Sequence, residues 1–300
     1  MQHIQTTDQQ SGKKVKLRYQ DVGSGQPIVF IHGWPLSSDM WDYQVDFFAR
    51  EGFRCVSYDR RGFGFSSKDS LNYRYDFLAD DLNAVLEELD LNDVVLVGFS
   101  MGGGEIARYI GKYGQERIAG AVFASSVTPF MLKTDNHNGV EWSVFQEMID
   151  GIRKDKADFF ATFGKQFYGV GTFSHPVSNE MLHWTKMLAS RAGVYSSIES
   201  VVAFAKDDFR TDLTKVTVPS LVIHGGGDDI VPFQVGGQET DRILSNSKLL
   251  KYDGAPHGLF YTHKDQFNND VLSFIRNNAT GTGTYGTRQT TASPRTINVN

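Results

Sequence analysis

The chain of 300 residues contains a single cysteine, Cys55. One thiol cannot close an intrachain disulfide, and it cannot supply the cysteine cluster of a zinc site. Because Cys55 lies in the apolar run at residues 54–58, we expect it to be a small side chain of the core. The sequence therefore excludes a scaffold held by disulfides or by cysteine-bound zinc.

Long apolar runs and basic blocks are also missing. No apolar run approaches the roughly 20 residues of a membrane helix, and residues 1–8 lack the apolar stretch of a secretory signal. The net charge is −5 at pH 7, which disfavours nucleic acid and anionic membrane surfaces as partners. We therefore expect a soluble cytoplasmic protein that binds neither nucleic acid nor membrane.

The chain does have enough apolar residues, 40% of the total, for a sizeable core in one or two domains. Short apolar runs alternate with helical spacing, which predicts an α/β fold with a mostly parallel sheet flanked by helices. The predicted strands are residues 15–20, 27–31, 54–58, 94–97, 120–124, 220–224 and 248–252. The clearest predicted helices are residues 76–89, 101–113 and 266–275.

Residues 130–212 differ from the rest of the chain. They are rich in aromatic residues and methionine, with weak strand signals and recurring helical spacing. We predict a helical cap inserted into a core made of residues 1–129 and 213–276. The cap aromatics either pack on the sheet or line a channel for an apolar acyl or aryl group. Residues 277–300 have few apolar side chains, so we predict a disordered tail.

A G-x-S-x-G pattern, Gly98-Phe99-Ser100-Met101-Gly102, follows the predicted strand at residues 94–97. After a strand, this pattern places the serine on a sharp turn into a helix, with its hydroxyl above the sheet. A serine hydroxyl is a weak nucleophile until a base takes its proton. Ser100 therefore predicts an acid and a histidine downstream.

Two later loops supply these residues. The sequence HGGGDDIVP at residues 224–232 follows a predicted strand and offers Asp228 and Asp229; we favour Asp228 because it directly follows the glycines. The sequence GAPHG at residues 254–258 presents His257 between turn residues after another predicted strand. The order Ser100, Asp228, His257 is the one expected for this type of nucleophile. His224 ends a strand, and we expect it to support the core or the loop.

The negative charge formed during acyl transfer needs N–H donors. The Met101 N–H begins the helix after the serine, where the helix dipole adds positive potential. The loop His32-Gly33-Trp34-Pro35 follows the predicted strand at residues 27–31. Because proline cannot donate, Trp34 is the better candidate for the second donor.

With these residues the chain resembles the α/β-hydrolase superfamily and, within it, the cofactor-free haloperoxidase/arylesterase (perhydrolase) family. The resemblance extends from about residue 19 to residue 275. It rests on HGWP (32–35), YDRRGFGFS (58–66), GFSMGGGEIARY (98–109), AKDDFR (205–210) and APHG (255–258). The extended glycine run and the Asp-Phe-Arg segment are more specific than G-x-S-x-G alone.

The resemblance implies a nucleophile, an acid, a base and two oxyanion donors: Ser100, Asp228, His257, Trp34 and Met101. It implies hydrolysis of small aryl and alkyl esters, formation of peracids from carboxylic acids and hydrogen peroxide, and no metal, haem or other cofactor. It also implies a symmetric homo-oligomer. Family members often carry an acidic residue where this chain has Gly226.

Other functions are weighed against this one. A lactam, an amide or a C–C bond beside a carbonyl suits the same three residues, whereas a non-catalytic binding protein would have lost them. Gly62-Phe63-Gly64 is a fragment of a dinucleotide fingerprint, but Ser67 stands where the third glycine belongs. The histidines and acidic residues show no metal-ligand spacing. We therefore favour an esterase without bound NAD or metal.

Overall fold

The computed structural model describes residues 1–68, 72–135 and 138–278. Within these ranges eight strands form one sheet in the order β1-β2-β4-β3-β5-β6-β7-β8. The strands are β1 (Gln2–Thr7), β2 (Lys14–Gly23), β3 (Pro27–Ile31), β4 (Arg54–Tyr58), β5 (Val94–Phe99), β6 (Ile118–Ala124), β7 (Ser220–Gly225) and β8 (Ser247–Tyr252). Pairing from β4 through β3 to β8 is parallel, and β1 and β2 add an antiparallel edge. The predicted α/β fold is confirmed.

The helices cover the sheet and the cap region. They are α1 (Asp42–Arg50), α2 (Tyr75–Glu88), α3 (Met101–Tyr113), α4 (Trp142–Phe167), α5 (Asn179–Ser190), α6 (Val194–Lys206), α7 (Arg210–Leu213), α8 (Gly237–Ile243), α9 (Leu259–Thr262) and α10 (Lys264–Asn278). Helices α4 to α6 fall inside residues 130–212, which we retain as a proposed cap. From residue 279 onwards, the predicted tail lies outside the described residues.

The central strands are apolar without alternation because both of their faces are covered. Every residue of β5 is buried, and so is every residue of β7. The carboxyl ends of parallel strands meet at one edge of a sheet, where sites in open α/β folds are found. The loops after β3, β5, β7 and β8 therefore bring the predicted site residues to the same edge.

The N-terminal strand β1 was not predicted. In its sequence QHIQTT only Ile4 is buried, so the alternating pattern of a strand is too weak to detect. The segment is a strand because its backbone pairs with β2, although its own sequence pattern is weak. The turn that follows is anchored by Asp8, which pairs with the buried Arg61, and Arg61 also pairs with Asp81 on α2.

Candidate active site

Ser100 lies on a tight turn between β5 and α3. Its backbone angles are φ +53° and ψ −115°, a conformation that costs free energy for any residue except glycine. A Cβ atom at Gly98 would lie 2.6 Å from the Gly102 carbonyl carbon, and one at Gly102 would lie 2.4 Å from the Ile31 oxygen. The two glycines of the motif are therefore required by close backbone contacts.

The structure brings Ser100, His257 and Asp228 into one hydrogen-bonded chain. His257 Nε2 lies 3.0 Å from Ser100 Oγ, and His257 Nδ1 lies 2.7 Å from Asp228 Oδ2. All three side chains are buried, with at most 6% of each residue exposed. Because a carboxylate only accepts, Nδ1 carries the proton and Nε2 is left to accept from the serine hydroxyl.

Asp228 is held by further donors. Its Oδ1 accepts the N–H groups of Ile230 at 3.0 Å and Val231 at 2.9 Å. Burial by itself would raise the pKa of this carboxyl, but His257 and the hydrogen bonds outweigh it and lower the pKa. Asp229, the alternative acid, is exposed to solvent. The geometry thus favours Asp228.

The glycines before Asp228 let its loop lie directly against the loop of His257. A Cβ atom at Gly225 would lie 2.2 Å from the Ala255 oxygen, and one at Gly227 would lie 2.9 Å from the Gly254 oxygen. A Cβ atom at Gly226 would meet mainly the flexible end of Lys251. An acidic residue at position 226 would therefore face a lysine.

Both predicted oxyanion donors lie beside Ser100. Met101 is the first residue of α3, and the first N–H groups of a helix have no acceptor within the helix. The loop of Trp34 passes close by, because a Cβ atom at Gly33 would lie 3.2 Å from Ser100 Cβ. Their function as oxyanion donors stays a prediction.

A small cavity opens onto Ser100, His257 and Trp34. Its other lining residues are all apolar: Val127, Met131, Val140, Val144, Phe145, Met148, Phe163, Phe204, Ile230 and Val231. A second depression lies at the opposite edge of the sheet, where Ser220 and Ser247 begin β7 and β8. It contains none of the predicted site residues.

The indole of Trp34 is the main contact between the loop after β3 and the cap helices. The rings of Phe159, Phe160, Phe163 and Phe204 have their centroids 5.2–6.3 Å from that of Trp34. The indole N–H donates to the Ser197 carbonyl oxygen of α6 at 3.1 Å. Aromatic side chains of the proposed cap therefore pack on Trp34, and two of them, Phe163 and Phe204, also line the cavity.

Three further buried polar residues lie beside the site. His224 is buried, with Nε2 2.8 Å from the Val231 oxygen and 3.5 Å from Asp228 Oδ2. It therefore supports the loop that carries Asp228, one of the two places expected for it. Arg60 and Glu105 form a buried ion pair next to His32. Arg60 and Glu105 both lie in segments that carry the family resemblance, residues 58–66 and 98–109, but nothing local in the sequence indicates that they pair.

Within the described residues there is neither a cluster of metal-ligating side chains nor a membrane-spanning helix. No group of three or more His, Cys, Asp or Glu side chains is arranged as metal ligands there. In the same part of the chain, no helix is long and apolar enough to cross a bilayer.

Comparison with known proteins gives consistent matches. The family described as alpha/beta hydrolase fold matches residues 26–264. A non-heme chloroperoxidase from Kitasatospora aureofaciens is 38% identical, over 87% of this chain and 96% of the relative. A bifunctional esterase/perhydrolase from Acinetobacter calcoaceticus is 39% identical, over 87% of this chain and 96% of the relative. The crystal structure of a bromoperoxidase from Bacillus anthracis matches with a TM-score of 0.86 and 39% identity, over 92% of this chain and 100% of the other.

Proposed function

The chain belongs to the alpha/beta hydrolase fold family, in the branch of non-haem haloperoxidases and perhydrolases, and on that premise we propose that it hydrolyses small carboxylic esters through an acyl-enzyme and also forms peracids. One observation carries the proposal. The hydrogen-bonded chain Ser100–His257–Asp228 ends in a cavity whose other lining residues are almost all apolar.

In the first half of the reaction Ser100 is acylated. His257 Nε2 takes the hydroxyl proton as Ser100 Oγ attacks the ester carbonyl carbon. The N–H groups of Trp34 and Met101 donate to the resulting oxyanion. His257 then gives the proton to the leaving alcohol, while Asp228 holds the imidazole tautomer and stabilises its charged form.

In the second half an oxygen nucleophile attacks the acyl-enzyme. Water gives the carboxylic acid, and hydrogen peroxide gives the peracid. In both cases His257 takes the proton of the nucleophile and returns it to Ser100 Oγ as the C–O bond breaks. A peracid released in this way oxidises a halide ion to hypohalous acid and is itself reduced to the carboxylic acid, so the protein needs no redox group.

The cavity supports a particular substrate class. Apart from His257, none of its lining residues is Asp, Glu, Lys, Arg or His. An uncharged apolar acyl or aryl group is therefore favoured.

We further propose a homo-oligomer in the cytoplasm. The free thiol of Cys55, whose pKa is raised by burial to about 12, is compatible with a reducing compartment.

The esterase proposal is tested by changing Ser100→Ala and following p-nitrophenyl acetate hydrolysis. Turnover should fall to background, and a fluorophosphonate probe should label the wild-type protein but not the variant. Ser190→Ala, which removes an exposed hydroxyl on α5, is the matched control and should keep full activity. Undiminished turnover by Ser100→Ala, or preference for a lactam over every short ester, would contradict the proposal.

The perhydrolase activity needs its own assay. Bromination should require acetate, hydrogen peroxide and the protein together, and Ser100→Ala should abolish it. Bromination that continues without a carboxylic acid, or with Ser100→Ala, would rule out a peracid made on the serine.

A further inference from the structure

We propose that His32 is a positioning residue that orients the Trp34 N–H towards the oxyanion, and that the buried pair Arg60–Glu105 holds His32 in place. The inference rests on the proposed function, because it assigns a task to a residue beside the same serine. His32 directly follows β3 and is completely buried.

The contacts of His32 determine which nitrogen carries its proton. The Arg60 backbone N–H donates to His32 Nε2 at 2.9 Å. A neutral imidazole has one donor and one acceptor, so the proton is on Nδ1. Nδ1 lies 2.9 Å from the Gly33 carbonyl oxygen and donates to it. The Arg60 guanidinium also lies 3.3 Å from Nδ1, but a guanidinium only donates, so this longer contact is not a hydrogen bond in this tautomer.

That carbonyl belongs to the same peptide unit as the Trp34 N–H. The unit is planar, with C=O and N–H pointing in opposite directions, so fixing one group fixes the other. The Gly33 oxygen accepts a second hydrogen bond, from the Leu36 N–H at 3.0 Å. Two donors on one oxygen therefore define the direction of the Trp34 N–H.

The ion pair connects this loop to the helix of the nucleophile. The Arg60 guanidinium donates to the His32 carbonyl oxygen at 2.7 Å and pairs with Glu105, which lies on α3 five residues after Ser100. Tyr58 donates to the second oxygen of Glu105 at 2.7 Å. The oxyanion loop and the nucleophile helix are thus held by one buried network.

The network also keeps His32 uncharged. Burial and the neighbouring positive charge of Arg60 hold the pKa of His32 well below its usual range. A protonated imidazole would lose its acceptor for the Arg60 N–H. In the neutral form, both hydrogen bonds of His32 are maintained.

Two polar variants separate the two hydrogen bonds of His32. The amide of His32→Asn reaches the position of Nδ1 and can still donate to Gly33, whereas that of His32→Gln reaches the position of Nε2 and keeps only the Arg60 contact. We expect kcat for p-nitrophenyl acetate, per site titrated with a fluorophosphonate, to fall about 10²-fold in His32→Gln, as for a misdirected oxyanion donor. His32→Asn should lose less than tenfold. KM and the shape of the pH profile should stay unchanged in both.

The neighbouring residue Arg61, which directly follows Arg60, offers a matched control. Asp81→Asn disturbs a second buried ion pair, in which Arg61 is bonded to Asp81 and Asp8. This variant should lower the unfolding midpoint and leave kcat per titrated site unchanged. Equal kcat in His32→Gln and His32→Asn, or a loss that only follows the unfolding midpoint, would overturn the inference. Ser100→Ala measured in parallel distinguishes this failure from failure of the proposed function, because only the latter leaves Ser100→Ala active.

Discussion

Asp228 and Glu105 are two buried carboxylates with different partners. Asp228 follows β7, and its side-chain partner is the imidazole of His257, which contacts the serine hydroxyl. Glu105 lies on α3 and is paired with the guanidinium of Arg60. A guanidinium keeps its proton at any working pH, whereas an imidazole gains and loses one near neutrality. The partner, rather than the burial, decides which carboxylate can assist proton transfer.

The pKa directions of the two groups differ accordingly. Burial raises the pKa of Glu105, with Arg60 and Tyr58 opposing it. The pKa of Asp228 is lowered in spite of burial, because His257 and backbone N–H groups stabilise its ionised form. We therefore expect loss of Asp228 to affect mainly the rate and loss of Glu105 to affect mainly the stability.

The largest expected effect is on the rate of Asp228→Asn. An asparagine favours the wrong tautomer of His257, so kcat for p-nitrophenyl acetate should fall about 10⁴-fold. The exposed neighbour provides the control, because Asp229→Asn should stay within about twofold of wild type. Equal losses in the two variants would mean that the acid has been assigned wrongly.

Glu105→Gln should instead lower the free energy of unfolding. Removing one member of a buried pair leaves the other charge uncompensated, which typically costs about 3–5 kcal/mol. Urea unfolding measures this cost, and kcat per titrated site should fall less than in Asp228→Asn. The double variant Arg60→Met/Glu105→Met should be more stable than the single one, and a less stable double variant would contradict the explanation.

A smaller effect is expected at His224. His224→Leu removes the donor to the Val231 oxygen, in the segment whose N–H groups hold Asp228. Loss of one hydrogen bond is worth about 1 kcal/mol, so kcat should fall roughly fivefold. His224→Gln can still donate and should recover most of this loss. No change in kcat for His224→Leu would show that Asp228 is held without it.

The smallest effect concerns stability in acid. Because the pKa of Asp228 is lower in the folded chain than its ordinary value of 3.8, ionised Asp228 stabilises the fold above that pH. The contribution is lost as the pH falls through the lowered folded pKa. The difference in unfolding free energy between wild type and Asp228→Asn should therefore shrink only below about pH 4. A difference that shrinks at neutral pH would contradict the lowered pKa.

Much of the site could be predicted because it follows local rules. The apolar run of β5, the glycines around Ser100 and the loops after β7 and β8 each carry a short-range signal. The strand ends differ slightly, since β5 extends to Phe99 where it pairs with Ala124. Strand β1 was missed because pairing with β2, rather than its own sequence pattern, makes it a strand.

The sequence by itself determined the α/β class, the turn at Ser100 and the candidates Ser100, Asp228 and His257, because each signal depends on neighbours within a few positions. Only the tertiary structure decided that Glu105 meets Arg60 and that Arg60 meets His32, contacts between residues 45 and 28 positions apart. It also decided that Trp34 receives the aromatic rings of the cap. Such contacts depend on how the sheet orders its strands and how helices pack on it, and a local pattern of residue types does not encode that order.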